Sequence, residues 1–385
     1  MRYICTRCKS TSADGNLWCQ EVNCPAGTLP LLMQYGDMLG SLKIDKLLCV
    51  LPHAVIYEAE RDGKRYLLKV ANPGRESEDA LHREADALYF ITFSKFQHPA
   101  LPEWVQHDGV NRGLRYGIIE FQNQPRHYLL MKWVEGDILS ALLLDNPQMW
   151  HMHVGWFMLT LTEAIIRLHQ SRQALHLNIN PDVILVRRNA LGIPQPLLLD
   201  LGVMIGVNTE ASAADVAQWR RFSQPAYTPP EMITGGLLTY SADVHGLGVL
   251  LYALLEGKPA FAQALRTADA VLRAVESAVR PSVLRADLPS APVPDGKWRR
   301  KRPAETHSLA KIVEWAIARK PDQRFKKVDD FWMALYALYG DVPDKRRVDV
   351  LFWARSAAIG VVVIAVASLL LACLSTLVIA AVGSG

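Results

Sequence analysis

From about Leu39 to Gly340 the hydrophobic positions first alternate and then recur with helical spacing. Leu47 to Ala59 and Arg65 to Val70 alternate apolar and polar residues around a turn at Gly63, the period-2 pattern of paired strands. Ser77 to Phe93 carries a helical repeat, and Tyr116 to Phe121 and Tyr128 to Trp133 read as further strands. After Gly136 the spacing is mostly helical, in Trp156 to Leu168, Ala242 to Leu255 and Leu309 to Ile317. A strand-rich first third joined to a larger helical part predicts an α+β chain with two lobes and a cleft between them. No internal repeat is visible.

The longest apolar run lies beyond this region. Ser356 to Gly385 holds no charged residue, and Ala357 to Val382 is apolar almost throughout. About 26 residues at about 1.5 Å each cover roughly 39 Å, enough to cross a hydrocarbon layer of about 30 Å. Apolar runs in the helices of soluble domains seldom exceed about 14 residues, so the stretch predicts one transmembrane helix over 357–382. Lys345, Arg346, Arg347 and Arg355 precede it and no basic residue follows. That bias makes 341–356 a basic juxtamembrane segment, puts everything upstream in the cytoplasm and sends the carboxyl end to the opposite side. Residues 1–28 are interrupted by Cys, Lys, Asp and Glu and do not resemble a signal peptide.

Composition adds limits. The 385 residues are 50% hydrophobic and 21% charged with a mean hydropathy of +0.07, which excludes a disordered, collagenous or disulfide-dense chain. The terminal run accounts for the positive mean. A formal charge of +4 is too small to imply a polyanionic partner.

Four of the six cysteines, Cys5, Cys8, Cys19 and Cys24, fall in the spacing C-x2-C-x10-C-x4-C. In a reducing compartment two close thiol pairs across a short polar loop suit a tetrahedral zinc site better than disulfides. A segment of about 28 residues builds no apolar core, so zinc would supply its folding free energy. With no spare His nearby, the expected site is closed and structural. Residues 1–28 are thus predicted as a small zinc ribbon and 29–38 as a linker. Cys49 and Cys373 stand alone, as small apolar residues.

The central region resembles the eukaryotic-like Ser/Thr protein kinases over some 300 residues, by motifs in the right order. Leu67-Leu68-Lys69-Val70 resembles the strand carrying the phosphate-binding lysine, and Glu84 in HREADAL its helix partner. His98 to Pro102 resembles the turn after that helix, and Tyr128 to Gly136 the hinge. Asp200-Leu201-Gly202 stands where the family has its metal-binding Asp-Phe-Gly. Ser223 to Glu231 resembles the close of the activation loop, Asp243 marks the following buried helix, and Arg324 in KPDQRF is the late arginine that pairs with Glu231. The resemblance implies a bilobal kinase-like fold over 39–340, with a small β-rich lobe at 39–133 and a larger helical lobe at 134–340.

The chain departs from the family where the chemistry is done. The family's His-Arg-Asp-x-Lys-Pro-x-Asn becomes His176 to Val183, HLNINPDV. Asn178 puts a neutral amide where a carboxylate would accept the substrate's proton. Asn180 replaces the cation on the transferred phosphoryl group, Val183 the second metal ligand, and Leu177 an arginine. Cys49, Leu51 and Ala54 fall at the glycines whose backbone approaches the phosphates, and Pro52 removes a further donor. Kinases turn over at roughly 1 to 100 per second. Losing a general base costs about 10² to 10⁴, and losing an electrostatic stabiliser about 10² to 10³, without clean additivity.

Lys69, Glu84 and Asp200 are nonetheless retained. They can be read as holding ATP with one Mg²⁺, or as structural contacts between the lobes. The expectation is a membrane-tethered cytosolic pseudokinase acting as a scaffold or regulatory module for a protein partner. The alternative is an active atypical kinase using ATP and Mg²⁺. Nucleic-acid binding by the ribbon has only Arg2, Arg7 and Lys9 in its favour. His53, His82, His107, His127, His151, His153, His169 and His245 show no metal-site spacing and read as core or solvated residues. Trp150, Trp156 and Trp219 read as packing residues, and Lys297 to Arg302 as a basic loop insertion.

Overall fold

The computed structural model of the chain describes residues 2–4, 11–12, 31–107, 113–146, 149–202, 204–210, 212, 224–258, 260, 290–292 and 306–343. The four clustered cysteines, Trp219, the 297–302 insertion, Cys373 and the apolar stretch 357–382 lie outside the described residues. Among the described residues no helix is long and apolar enough to cross a membrane.

The chain divides into two compact units, one of residues 1–187 and 194–341, the other of residues 188–193 and 342–385. In the second, the Asn189 carboxamide oxygen accepts from the N–H groups of Leu191 (2.9 Å) and Ile193 (3.0 Å), and its Nδ2 donates to the Pro343 carbonyl at 3.1 Å.

The first unit opens with β1 (Arg2–Ile4), which pairs antiparallel with β2 (Thr11–Ser12) and β3 (Leu31–Leu32). A seven-stranded sheet follows. It comprises β4 (Met38–Leu39), β5 (Leu42–Val50), β6 (Ala54–Arg61), β7 (Lys64–Ala71), β8 (Trp104–Val105), β9 (Gly117–Phe121) and β10 (Gln124–Lys132), with α1 (Arg75–Thr92) inserted after β7. Its order is β4-β5-β6-β7-β10-β8, with β9 on β10.

The alternation read as one strand over Leu47 to Ala59 folds as two. Pro52 has no N–H for a ladder, and the chain reverses at Leu51-Pro52-His53, where the Leu51 N–H donates to the Ala54 carbonyl at 2.8 Å. Because side chains alternate across a strand, the sheet feeds two cores. Tyr57, Leu68, Val70 and Leu130 pack with Leu32 and Leu39 on one face. Ile56, Leu67, Ala71, Leu129 and Met131 face the other way, in an apolar cluster continuous with the helical lobe. In α1 the buried residues Leu81, Glu84, Ala85, Leu88 and Ile91 recur at helical spacing, so one carboxylate is carried inward on an apolar face.

The helical lobe contains β11 (Asp137–Ile138), α2 (Leu139–Asp145), α3 (His151–Arg172), β12 (Ala174–Leu175), β13 (Ile184–Arg188), β14 (Pro194–Leu198), β15 (Ile205–Gly206), α4 (Pro230–Thr234), α5 (Ser241–Glu256), α6 (Leu309–Ala316) and α7 (Val328–Tyr339). All of Ser241–Leu255 is buried, as expected of a helix apolar all round. Helix α3 packs on α7 where Gly155 admits the Tyr339 ring: a Cβ there would lie 2.3 Å from it. Two lobes of unequal size and opposite secondary structure agree with the predicted bilobal α+β architecture.

Candidate functional site

Lys69, Glu84 and Asp200 converge. Lys69 pairs in register with Ile56 and Leu129, on the sheet face that turns toward the helical lobe. Glu84 rises from the buried face of α1, and Asp200 follows β14. Lys69 Nζ lies 2.5 Å from Glu84 Oε2 and 2.5 Å from Asp200 Oδ1, with the lysine side chain wholly enclosed. Burial disfavours the ammonium, but the two carboxylates outweigh it and hold Lys69 above its ordinary value. Burial also lifts Asp200, yet Lys69 and His53 pull it well below the usual carboxylate range. Glu84 is raised, because burial and the Asp200 charge exceed the help from Lys69. Glu84 Oε1 also accepts from the Leu201 N–H at 3.3 Å.

The β5–β6 turn enters this site. His53 Nε2 donates to Asp200 Oδ1 at 3.0 Å. Asn72, after β7, pins the turn: its Nδ2 donates to the carbonyls of Leu51 (3.2 Å) and Pro52 (2.9 Å), and its N–H to that of His53 (2.8 Å). The Cys49 thiol donates to the Asp182 carbonyl at 3.0 Å, tying the strand to the loop below. Cys49, Leu51 and Ala54, at the positions compared with glycines, are all buried. Sequence reasoning misses His53 and Asn72 as site residues, because neither spacing nor residue type marks a turn that folds inward. Pro52 is the one available signal.

The loop from His176 to Val183 is held by Asp243 at the start of α5. One carboxylate oxygen accepts from His169 Nε2 (2.7 Å) and the His176 N–H (2.8 Å), the other from the Leu177 N–H (2.7 Å). Those bonds stabilise Leu177 at φ 60°, a conformation costly for a branched side chain. Burial raises Asp243, but the hydrogen bonds from His169 and from the Leu177 N–H oppose it and the carboxyl is lowered. His176 accepts the Asn178 N–H at Nδ1 (3.2 Å) and so donates from Nε2 to the Asp200 carbonyl (2.8 Å); burial keeps its ring neutral. Gly202 has φ +75°, and a Cβ there would lie 2.1 Å from the His176 carbonyl oxygen, so the two loops touch backbone to backbone.

At the expected catalytic positions the groups are amides. Asn180 Nδ2 donates to both the backbone (2.8 Å) and side-chain (2.9 Å) oxygens of Asn178, and Asn180 Oδ1 accepts from the Asp182 N–H at 3.0 Å. Gln224 closes the network, its N–H on Asn178 Oδ1 (3.3 Å) and its Nε2 on Asp182 Oδ2. Val183 is buried in hydrocarbon. Glu231 and Arg324 form the expected pair, bidentate at 2.7 and 2.9 Å.

As a seat for a nucleotide with Mg²⁺ the donors match poorly. Of the carboxylate oxygens of Glu84 and Asp200 only Oδ2 of Asp200 is without a hydrogen-bond partner, His53 sits on Oδ1 of Asp200, and Val183 offers no side-chain oxygen. The ligand atoms of His53, Glu84 and Asp200 lie within 4.8 Å of one another, but the cation among them is the Lys69 ammonium. The set can bridge the lobes electrostatically. Asn178 supplies no proton acceptor at neutral pH.

The family described as the protein kinase domain matches residues 116–330. The chain is 26% identical over 220 residues to the serine/threonine-protein kinase PknA of Nostoc sp., covering 56% of this chain and 33% of that one. It is 27% identical over 207 residues to PrkC of Bacillus subtilis (53% and 28%), and 23% over 325 residues to PknH of Mycobacterium tuberculosis (82% and 45%). It therefore spans less than half the length of each of these curated relatives. A double mutant of the Mycobacterium tuberculosis PknI kinase domain superposes with a TM-score of 0.54 at 18% identity, over 80% of this chain and 100% of that one. The kinase of Cydia pomonella granulovirus also gives 0.54, at 16% identity, over 76% and 92%. At such identities the likeness is one of fold.

Proposed function

The chain belongs to the protein kinase family, and from that premise we propose that it is a pseudokinase, a kinase-fold module that works by binding a protein partner as a signalling scaffold or regulatory element. One observation carries this reading: Asn178 and Asn180 stand where the family has its base and its cation, tied to each other and to Gln224 by hydrogen bonds, with Val183 buried in hydrocarbon where it has its second metal ligand. These amides cannot stand in for a base and a cation, and His53, from the turn at the positions compared with glycines, sits on Oδ1 of Asp200.

A ligand that binds only the folded state raises stability, by about 2.7 kcal/mol at a hundredfold excess over its dissociation constant. The test is a thermal-shift titration with ATP and Mg²⁺ or Mn²⁺, alongside labelled ATP and generic Ser/Thr substrates. A flat shift with no transfer supports the proposal. Transfer abolished by Lys69→Ala or Asp200→Ala sinks it in favour of the second reading, an active atypical kinase. That reading is favoured by the meeting of Lys69, Glu84 and Asp200 in one cluster.

Two further assignments belong to this proposal. Cys5, Cys8, Cys19 and Cys24 hold a structural zinc; supporting it, β1 and β2 pair antiparallel on either side of the segment containing Cys5 and Cys8. Metal analysis of the purified protein before and after chelation tests this. Residues 357–382 anchor the chain, with the kinase-like domain on the cytoplasmic side, on the strength of their uncharged sequence and the basic residues before them. Membrane fractionation with and without 357–382 tests that.

A further inference from the structure

Behind the segment joining the lobes, a cleft of about 320 Å³ opens between the turn after α1, the end of β10 and the strands β13 and β14. Pro99, Leu101, Val134 and Leu197 supply apolar walls, and Glu103, Lys132 and Arg187 line it with charge. Glu103 and Lys132 neutralise each other, with Nζ 2.8 Å from Oε2 and the Lys132 N–H on the Glu103 carbonyl at 2.9 Å.

Arg187 is not matched in this way. One terminal nitrogen donates to the Pro99 carbonyl at 3.1 Å, and its Nε is buried without an acceptor. Among the described residues no carboxylate lies within ion-pair distance of it. Burial alone depresses its guanidinium below the ordinary value, the mark of a cation short of compensation. Its neighbourhood does not offset this. Glu163 on α3 serves both Arg167 (3.6 Å) and His98 (3.6 Å), and the Nε of Arg167 is also buried without an acceptor. Burial lowers His98, opposed by Glu163 and reinforced by Arg167 and Arg187, so its ring is neutral near pH 7. Among the described residues lining the cleft, two cations (Lys132, Arg187) thus stand against one anion (Glu103).

We propose that this cleft binds a small carboxylic acid with an apolar body, the carboxylate meeting the terminal N–H groups of Arg187 that Pro99 leaves unused and the apolar part lying on Leu101, Val134 and Leu197. The planar guanidinium fork suits a carboxylate, and apolar walls with a small number of placed polar groups are the usual construction of a ligand site. The site is separate from the Lys69 cluster, and the inference does not rest on the pseudokinase reading.

The test is calorimetric titration of the full chain with 4-phenylbutyrate and with its neutral amide, repeated for Arg187→Gln and for Leu197→Trp, which fills the cleft and leaves the charges in place. The expected result is saturable binding of the carboxylate, weakened at least tenfold by either substitution and by replacing the acid with the amide. Circular dichroism confirms that each variant is folded; if Arg187→Gln is not, Leu197→Trp and the acid–amide comparison decide alone. No saturable binding, or binding that neither substitution nor the amide weakens, overturns the proposal.

Discussion

The imidazole of His53 meets the carboxylate of Asp200 at 3.0 Å, across 147 positions of sequence. Asp200 Oδ1 also receives Lys69, so a turn of the small lobe, a strand of the small lobe and a loop of the large lobe share one oxygen. A buried hydrogen bond to an ionised group contributes about 1.5 to 3 kcal/mol. His53→Leu is therefore expected to lower the unfolding free energy by about that amount, as measured by urea denaturation. The thermal response to ATP and Mg²⁺ stays flat in this variant, because Val183 still supplies no metal ligand and Leu51 still stands at a position compared with glycine.

Lys69 is the only cation directly bridging Glu84 and Asp200 among the described residues. Removing it leaves two carboxylates facing each other in a buried site. Breaking a buried ionic cluster by deleting one partner costs about 3 to 5 kcal/mol, chiefly through the charge left behind. Lys69→Met should show that loss in urea denaturation. Lys69→Met with Asp200→Leu should recover part of it, giving a favourable coupling in a double-mutant cycle. Equal and additive losses would show that the cluster is not an electrostatic unit.

Acid should destabilise the fold in two stages. His176 and His245 are held neutral, His176 by burial against the pull of Asp243 and Asp200, His245 by burial and the Arg324 charge. The unfolded chain binds protons at these positions below about pH 6.5 and the folded chain does not, so stability falls as pH drops through that value. Each group contributes up to about 1.4 kcal/mol per pH unit. Asp200 and Asp243 are lowered, so their contribution is present above about pH 4 and is lost as pH falls through their folded values. Glu84 is raised and acts in the opposite sense, flattening the curve just above pH 4. Urea midpoints across pH 3 to 8 test the sequence of events, and His245→Leu should remove about one proton's slope from the first stage.

Arg324 donates to both oxygens of Glu231 and to the carbonyls of Ala318 (2.6 Å), Ser241 (3.1 Å) and Arg319 (2.9 Å). Lysine keeps the charge but cannot reproduce five donors in a planar fork. Arg324→Lys is expected to cost a substantial part of the about 3 to 5 kcal/mol attached to breaking a buried pair, read as a lowered urea midpoint without a change of slope. A wild-type midpoint would mean that charge alone holds this corner.

The larger pattern was legible because it is written in periodicity. Period-2 runs became β6, β7 and β10, helical runs became α1, α3 and α5, and the pairs Lys69–Glu84 and Glu231–Arg324 followed from motif order. What stayed hidden depends on where a turn points. Leu51-Pro52-His53 could have faced solvent as well as the cleft. Its inward course is decided by Asn72 and by the apolar seat of Leu51, both settled by tertiary contact. The same applies to Gln224, a residue whose amide matters only because folding brings it to Asn178 and Asp182.

On the pseudokinase proposal, restoring the family's loop residues should not bring phosphoryl transfer, and the outcome separates a change confined to the loop from one that extends beyond it. If the three altered loop positions were the whole defect, Asn178→Asp, Asn180→Lys and Val183→Asn together would recover phosphoryl transfer. The geometry predicts otherwise. Asn178→Asp keeps an acceptor for the Gln224 N–H, but Asn180→Lys removes the carboxamide oxygen that receives the Asp182 N–H. Val183→Asn places an amide inside a hydrocarbon cluster, at about 1 to 3 kcal/mol if unpaired. Above all, Oδ1 of Asp200 would remain held by both Lys69 and His53. The expected outcome with labelled ATP and Mg²⁺ is no transfer above the wild-type background, from a folded but less stable protein. Turnover that depends on both the introduced carboxylate and Lys69 would show that the closed cluster opens for nucleotide and that the defect lies in the loop alone.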